Sequence, residues 1–239
     1  MLTNLRSNIK SGSGEAPDIR KFWLIVQKDI MVEWRTKDMW VTMMAFVLMV
    51  IFVFAFAVDT GRVQFSLVFP GILWMAFLFA GMIGISRTYA HEVPEDTLTG
   101  LILAPGDRMT IFLAKLTTAF LFMMGMEAIA TPIFFSLFNE PWNGSWGPMI
   151  LILILGALGF VELGTLLSAI SANLKSGEMI FTVLLFPFEI PVLICTVEAT
   201  QAVLSVPSGD PWLWLHGLMA YDAIFLALPL LLYDYLWEV

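Results

Sequence analysis

Charge is what this sequence has least of. Of 239 residues, 13% are Asp, Glu, Lys or Arg and 59% are hydrophobic, against roughly 25% charged in soluble domains. A soluble fold of this length could not keep that much apolar surface out of water. Cysteine is nearly absent. Cys195, alone in an apolar run, can form no internal disulfide and reads as a small buried apolar residue. There is no cysteine pair and no His-Glu-x-x-His, and His91 and His216 are the only histidines, so no metal-site spacing is present. No phosphate-binding Gly-x-x-x-x-Gly-Lys-Ser/Thr loop occurs, so the chain cannot hydrolyse ATP by itself. No hydrolase constellation is visible, and no catalytic residue is assigned. Twelve basic residues against 20 acidic ones, a net charge of −8, argue against nucleic acid as a partner. Residues Met1 to Asp38 hold scattered charge without an apolar core before a cleavage site, so no secretory signal is expected. No simple internal repeat is found.

What is present is a series of long apolar runs. A helix needs about 20 such residues to cross the hydrocarbon. Six runs qualify: Met39–Val58, Phe65–Ser86, Ile111–Phe138, Met149–Ser171, Met179–Val203 and Leu215–Trp237. The fold class is therefore an all-α integral membrane protein with six transmembrane helices. Residues 1–18 read as a flexible leader, since Ser11 to Asp18 is rich in Ser, Gly and acids. Residues 19–239 form a single transmembrane domain. Between them, Phe22, Ile25, Val26, Asp29, Ile30 and Glu33 recur at i, i+3, i+4 with Lys21, Lys28, Arg35 and Lys37 flanking. That pattern predicts an amphipathic helix lying in the membrane interface.

The basic residues give direction. Arg6, Lys10, Arg20, Lys21, Lys28, Arg35 and Lys37 precede the first span, and Arg87, Arg108, Lys115 and Lys175 fall beside the even-numbered connections. With alternating spans all eleven share one side, and only Arg62 lies opposite. The positive-inside rule makes that side, and both termini, cytoplasmic. Trp40, Trp142, Trp146, Trp212 and Trp237 fall near predicted span ends, where an amphipathic ring prefers to sit.

The connection after the second span, Arg87 to Arg108, has its own pattern. Pro94 suits the first turn of a helix, Glu95 and Asp96 favour the positive end of its dipole, and Leu98, Leu101 and Ile102 make one apolar face. Ala104-Pro105-Gly106-Asp107 is a turn, with Asp107 placed to cap the next span. A short amphipathic helix on the cytoplasmic surface results. It suits reception of a push from a partner, although an ordinary connecting loop would carry the same residues.

Four acids, Glu127, Glu162, Glu189 and Asp222, fall inside predicted spans, with Glu198 and Asp234 near span ends. An ionised group at mid-bilayer costs about 3 kcal/mol or more, so such residues face a cavity or a partner. They read either as an intramembrane polar pathway or as a set of inter-helix hydrogen bonds. In the fifth span Pro187 and Pro191, four apart, remove backbone donors beside Glu189 and predict a kink or helix break. His216 follows Trp212 and Trp214. That invites a haem-ligand reading, but an interfacial aromatic cluster has the same composition.

Glu92 through Lys115, with Asp96-Thr97-Leu98, Gly100-Leu101-Ile102-Leu103-Ala104-Pro105, Arg108 and Ile111-Phe112-Leu113-Ala114-Lys115, resembles the cytochrome c maturation permease family CcmB, the haem exporter B proteins. Matching pieces follow in order: Pro70-Gly71-Ile72-Leu73-Trp74, Phe77-Leu78-Phe79-Ala80-Gly81, Gly156-Ala157-Leu158-Gly159-Phe160, Phe186-Pro187 with Ile190-Pro191, and Glu198-Ala199-Thr200. The likeness starts near Phe22 and covers nearly all that follows. Thr99 departs from the acid expected there, and the leader before Ile19 has no counterpart.

The resemblance implies the permease half of an ABC-type transporter in the bacterial inner membrane. Its ATP would be bound by a separate CcmA-like ATPase subunit, against which Glu92, Glu95, Asp96, Leu98, Leu101, Ile102 and Arg108 would form the coupling helix. A CcmC-like haem-handling protein, a CcmD-like small membrane protein and a CcmE-like haem chaperone are the other implied partners, with a homodimer expected. Haem would be the cargo, and no stably bound cofactor is expected. Export of a polysaccharide or drug shares the architecture. An ion-coupled secondary transporter using the intramembrane acids, and a non-transporting scaffold, are the readings from other classes.

Overall fold

A computed structural model describes residues 15–57, 65–90, 109–138, 142, 144–171, 177–205 and 209–236. Among them are seven helices and no strand: α1 (Glu15–Thr36), α2 (Asp38–Ala57), α3 (Phe65–Ala90), α4 (Met109–Leu137), α5 (Trp146–Ser171), α6 (Gly177–Leu204) and α7 (Trp212–Leu236). Six of them, α2 to α7, are long and apolar enough to cross a membrane, at the six predicted places. The last starts three residues earlier than the apolar run suggests, because Asp210 Oδ1 accepts from Trp212 N at 3.0 Å and Pro211 stands at the first turn. The amphipathic helix also starts early, at Glu15 rather than residue 19. Asp18 favours its positive end and a proline costs little within a first turn.

The bundle is layered by burial. In α3 and α5 two thirds of the membrane-length window is buried within the protein, and these two helices form the centre. In α2 the figure is 22%. Its buried residues Met39, Met43, Val47 and Ile51 repeat every fourth position and make one narrow stripe against α3 and α4. The outward residues Val41, Met49, Phe52, Val53 and Phe56 are exposed and suit contact with lipid. Small residues let the central helices approach. A Cβ on Gly164 of α5 would meet Ile85 of α3 at 3.0 Å.

The two prolines of α6 do not break it. The helix runs without interruption from Gly177 to Leu204 through Pro187 and Pro191, which corrects the predicted break. Both rings lie on the exposed side, so the turn they weaken faces away from the bundle. Leu185, Glu189, Val192, Thr196, Ala199 and Val203 make a continuous buried side that packs on α5, α3 and α7.

α1 packs along the start of α4. Ile25 and Val26 are buried with Ile111 and Ala114, and Phe22 and Ile30 lie beside them. Asp29 forms an ion pair with Lys115 at 3.0 Å; the two side chains are 13% and 4% exposed. The face picked out in the sequence is therefore turned to protein. Lys37 ends the helix with a φ of 58°, in the left-handed region that closes helix C-termini. Glu33 spans the joint: its carbonyl accepts from Lys37 N at 2.7 Å and its carboxylate accepts from Trp40 N at 2.8 Å, capping α2.

Candidate functional site

The residues predicted for coupling, Glu92, Glu95, Asp96, Leu98, Leu101, Ile102 and Arg108, lie outside the described residues. The two helices that bracket them are α3 and α4, which pack on each other and on the central α5.

The intramembrane acids are all described. Glu127, Glu162, Glu189 and Asp222 are at most 6% exposed, and none of their carboxyl oxygens has a hydrogen-bond partner among the described residues. The reading as a closed set of inter-helix hydrogen bonds finds no support there. Three of the four converge. Glu162 on α5, Glu189 on α6 and Asp222 on α7 lie within electrostatic reach of one another. Glu127, on α4, is not one of this group. The polar spot sits where the three helices meet, near the middle of each.

Packing brings Asp222 inward. A Cβ on Gly159 would lie 3.1 Å from Asp222 Oδ1 and 3.1 Å from Val192, so glycine is what lets the carboxyl reach the α5 backbone. Tyr221 adds a hydroxyl that sequence reading did not single out. It lies within electrostatic reach of all three acids, and its O–H donates to Phe188 O on α6 at 3.1 Å. Its place beside Asp222 in the chain was the available signal. The Thr165 hydroxyl, one turn after Glu162, is buried without a partner among the described residues, whereas Thr117, Thr118 and Thr200 bond carbonyls of their own helices. Among the described residues no three His, Cys, Asp or Glu are grouped to hold a metal ion.

A second cluster sits nearer the Trp146 end of α5. Trp74 is fully buried and its indole N–H donates to Thr200 Oγ1 at 2.8 Å. Thr200 in turn donates to Thr196 O at 2.7 Å. The Trp74 ring lies edge-on to Phe77 and tilted against Phe160. Trp74, Phe160 and Thr200 come from three separate pieces of the sequence pattern. His216, by contrast, is exposed on α7, its ring 6.3 Å from that of Trp212. Between α2 and α3, Phe46, Val50, Phe54, Gly71, Met75 and Phe79 help line an apolar cleft of about 500 Å³.

Six membrane-length helices, three of which meet at a buried acidic spot, define a multi-pass helical membrane protein, and sequence comparison places it more closely. The chain belongs to the CcmB protein family, whose model it matches over residues 20–230. It is similar to the heme exporter protein B of Pseudomonas aeruginosa, 28% identical over 179 residues that cover 74% of this chain and 79% of the relative. Against that of Haemophilus influenzae it is 26% identical over 208 residues, 86% of this chain and 93% of the relative. Against that of Escherichia coli K12 it is 28% identical over 197 residues, 82% and 89% of the two.

Proposed function

We propose that this chain is the membrane-spanning, non-catalytic subunit of an ATP-driven haem transporter serving c-type cytochrome maturation, set in the bacterial inner membrane with both termini cytoplasmic. The observation that carries the reading is the family match over residues 20–230, which takes in all six spans almost completely. ATP is hydrolysed on a separate CcmA-like subunit. That subunit is received by residues 92–108, with Leu98, Leu101 and Ile102 as the apolar contact and Glu92, Glu95, Asp96 and Arg108 as its charged surround. CcmC-, CcmD- and CcmE-like proteins complete the assembly, and a second copy of this chain supplies the other membrane half.

Within that assembly the subunit transmits motion. Haem carries two carboxylates, and a buried group of three acids offers them no counter-charge. The Glu162–Glu189–Asp222 spot therefore favours a polar hinge between α5, α6 and α7 over a haem-binding surface. Co-purification of the ATPase subunit tests the coupling helix: Leu101→Asp abolishes it, and unchanged co-purification with unchanged ATPase activity overturns the assignment. Haem-dependent stimulation of ATPase activity in the reconstituted complex tests the cargo. A rate indifferent to haem but raised by a polysaccharide or drug overturns it.

The acidic group also favours a second reading, ion coupling. That reading requires transport to stop when the proton gradient is collapsed with ATP still present.

A further inference from the structure

α1 is held to the bundle by one face only. Ile25 and Val26 are buried on α4, and the Asp29–Lys115 pair fixes the roll of the helix about its axis. At 100° per residue, the opposite face carries Trp23, Gln27, Met31 and Trp34, with Leu24 alongside, and all five are exposed. Trp23 is 58% and Trp34 79% exposed, and eleven residues of helix place them about 16 Å apart. The charges on α1 are sorted too. Asp29 is paired and Glu33 caps α2. Lys28 pairs with Asp29 at 3.1 Å, and the charged residues of α1 that are exposed as a whole, among those described, are Arg20 and Arg35, one toward each end of the stripe.

The depth of α1 follows from α4. At 29 residues it measures about 43 Å, more than the ~30 Å of hydrocarbon, so a helix centred in the bilayer carries its first and last turns into the headgroup layers. α1 lies along the first turns, against the side of α4 at Ile111, Ala114 and Lys115. Beyond the Lys37 joint, α2 also carries exposed apolar residues, beginning with Val41. An apolar stripe at headgroup depth, edged by guanidinium groups, has a definite chemical complement. Indoles settle at the interface, and arginine binds phosphate through paired N–H donors.

We propose that the outer face of α1 is a docking surface for anionic phospholipid headgroups of the cytoplasmic leaflet, with Trp23 and Trp34 as its anchors and Arg20 and Arg35 as its phosphate contacts. This surface goes beyond the transport reading and stands whatever the cargo is.

A nitroxide label on Gln27→Cys in a Cys195→Ser background tests it in the full-length chain. The labelled protein is reconstituted into vesicles of phosphatidylcholine, with or without a minor fraction of phosphatidylglycerol. Power saturation then compares collisions of the label with oxygen and with a water-soluble nickel chelate. The expected result is oxygen access exceeding nickel access, with the ratio rising roughly twofold when phosphatidylglycerol is present. Added salt removes the rise. Arg20→Gln with Arg35→Gln removes it as well and leaves the ratio in phosphatidylcholine unchanged. High nickel access in both vesicles means a water-facing helix and overturns the proposal. Exclusion of both reagents means a protein-covered face, such as a second copy of the chain, and also overturns it. A ratio that ignores phosphatidylglycerol, or a rise that survives both the salt and the double substitution, does the same.

Discussion

The six-membered ring of Trp74 lies where a side chain on Gly156 would begin. A Cβ built there would be 2.6 Å from Cζ3 and Cη2 of the indole and 2.9 Å from Thr196 Cγ2. Glycine at this position is thus part of the indole's seat, and the seat joins α3, α5 and α6.

Gly156→Ala forces the ring or the helix to shift. Overpacking of this kind costs about 1–3 kcal/mol, and the loss reads out as a lower unfolding midpoint in detergent. Trp74→Phe removes the atoms that the new methyl group would strike. The double variant is therefore expected to lose less than the two single losses added together. Strict additivity would place the clash elsewhere.

Thr200→Val keeps the shape of the side chain and removes the acceptor for the indole N–H. Inter-helix hydrogen bonds in membrane proteins average about 0.6 kcal/mol. A buried unpaired donor raises the loss toward about 1–3 kcal/mol. The midpoint is expected to fall by no more than with Gly156→Ala. A loss larger than that of Gly156→Ala would show that Thr200 carries more than this bond.

Asp29 and Lys115 form a pair of low exposure, and Lys28 also reaches Asp29 at 3.1 Å. Asp29→Asn and Lys115→Met each destabilise the α1–α4 contact, by up to about 3–5 kcal/mol for a fully buried pair and by less here because Asp29 is 13% exposed. The double variant loses less than the sum. Hydrogen exchange of the α1 backbone, read in all three variants, measures the coupling directly. Additive losses would mean that the two charges act independently.

The acidic group separates stability from activity. Asp222→Asn replaces one of three buried carboxyls that have no hydrogen-bond partner among the described residues with a neutral side chain of the same size, so stability holds or rises while transport falls if the spot is a working hinge. Gly159→Val is expected to match it in activity, because it displaces the same carboxyl, but to lose stability through the clash. Full transport by Asp222→Asn would reduce the group to packing.

Much of the molecule was legible in the sequence. Apolar length alone located the six spans, and the periodicity of Phe22, Ile25, Val26, Asp29 and Ile30 found the side of α1 that packs. The partner of that side was not legible, because interfacial lipid and a neighbouring helix select the same apolar stripe. The convergence of Glu162, Glu189 and Asp222 was hidden for a related reason. Membrane helices are apolar on every side, so periodicity does not tell which faces meet. Glycines do, since Gly156 and Gly159 mark the places where Trp74 and Asp222 come closest to α5. The prolines leave α6 unbroken because the cost of a lost donor depends on where it falls, and the exposed side of α6 absorbs it.

Glu33 answers to both helices that it joins, through its carbonyl on one side of the bend and its carboxylate on the other. The elbow at Lys37 is thereby braced, and swinging α1 strains both bonds. A helix resting on the leaflet and tied to a peripheral span acts as an outrigger. It gives the bundle a fixed footing in the plane of the membrane, against which the central helices can move.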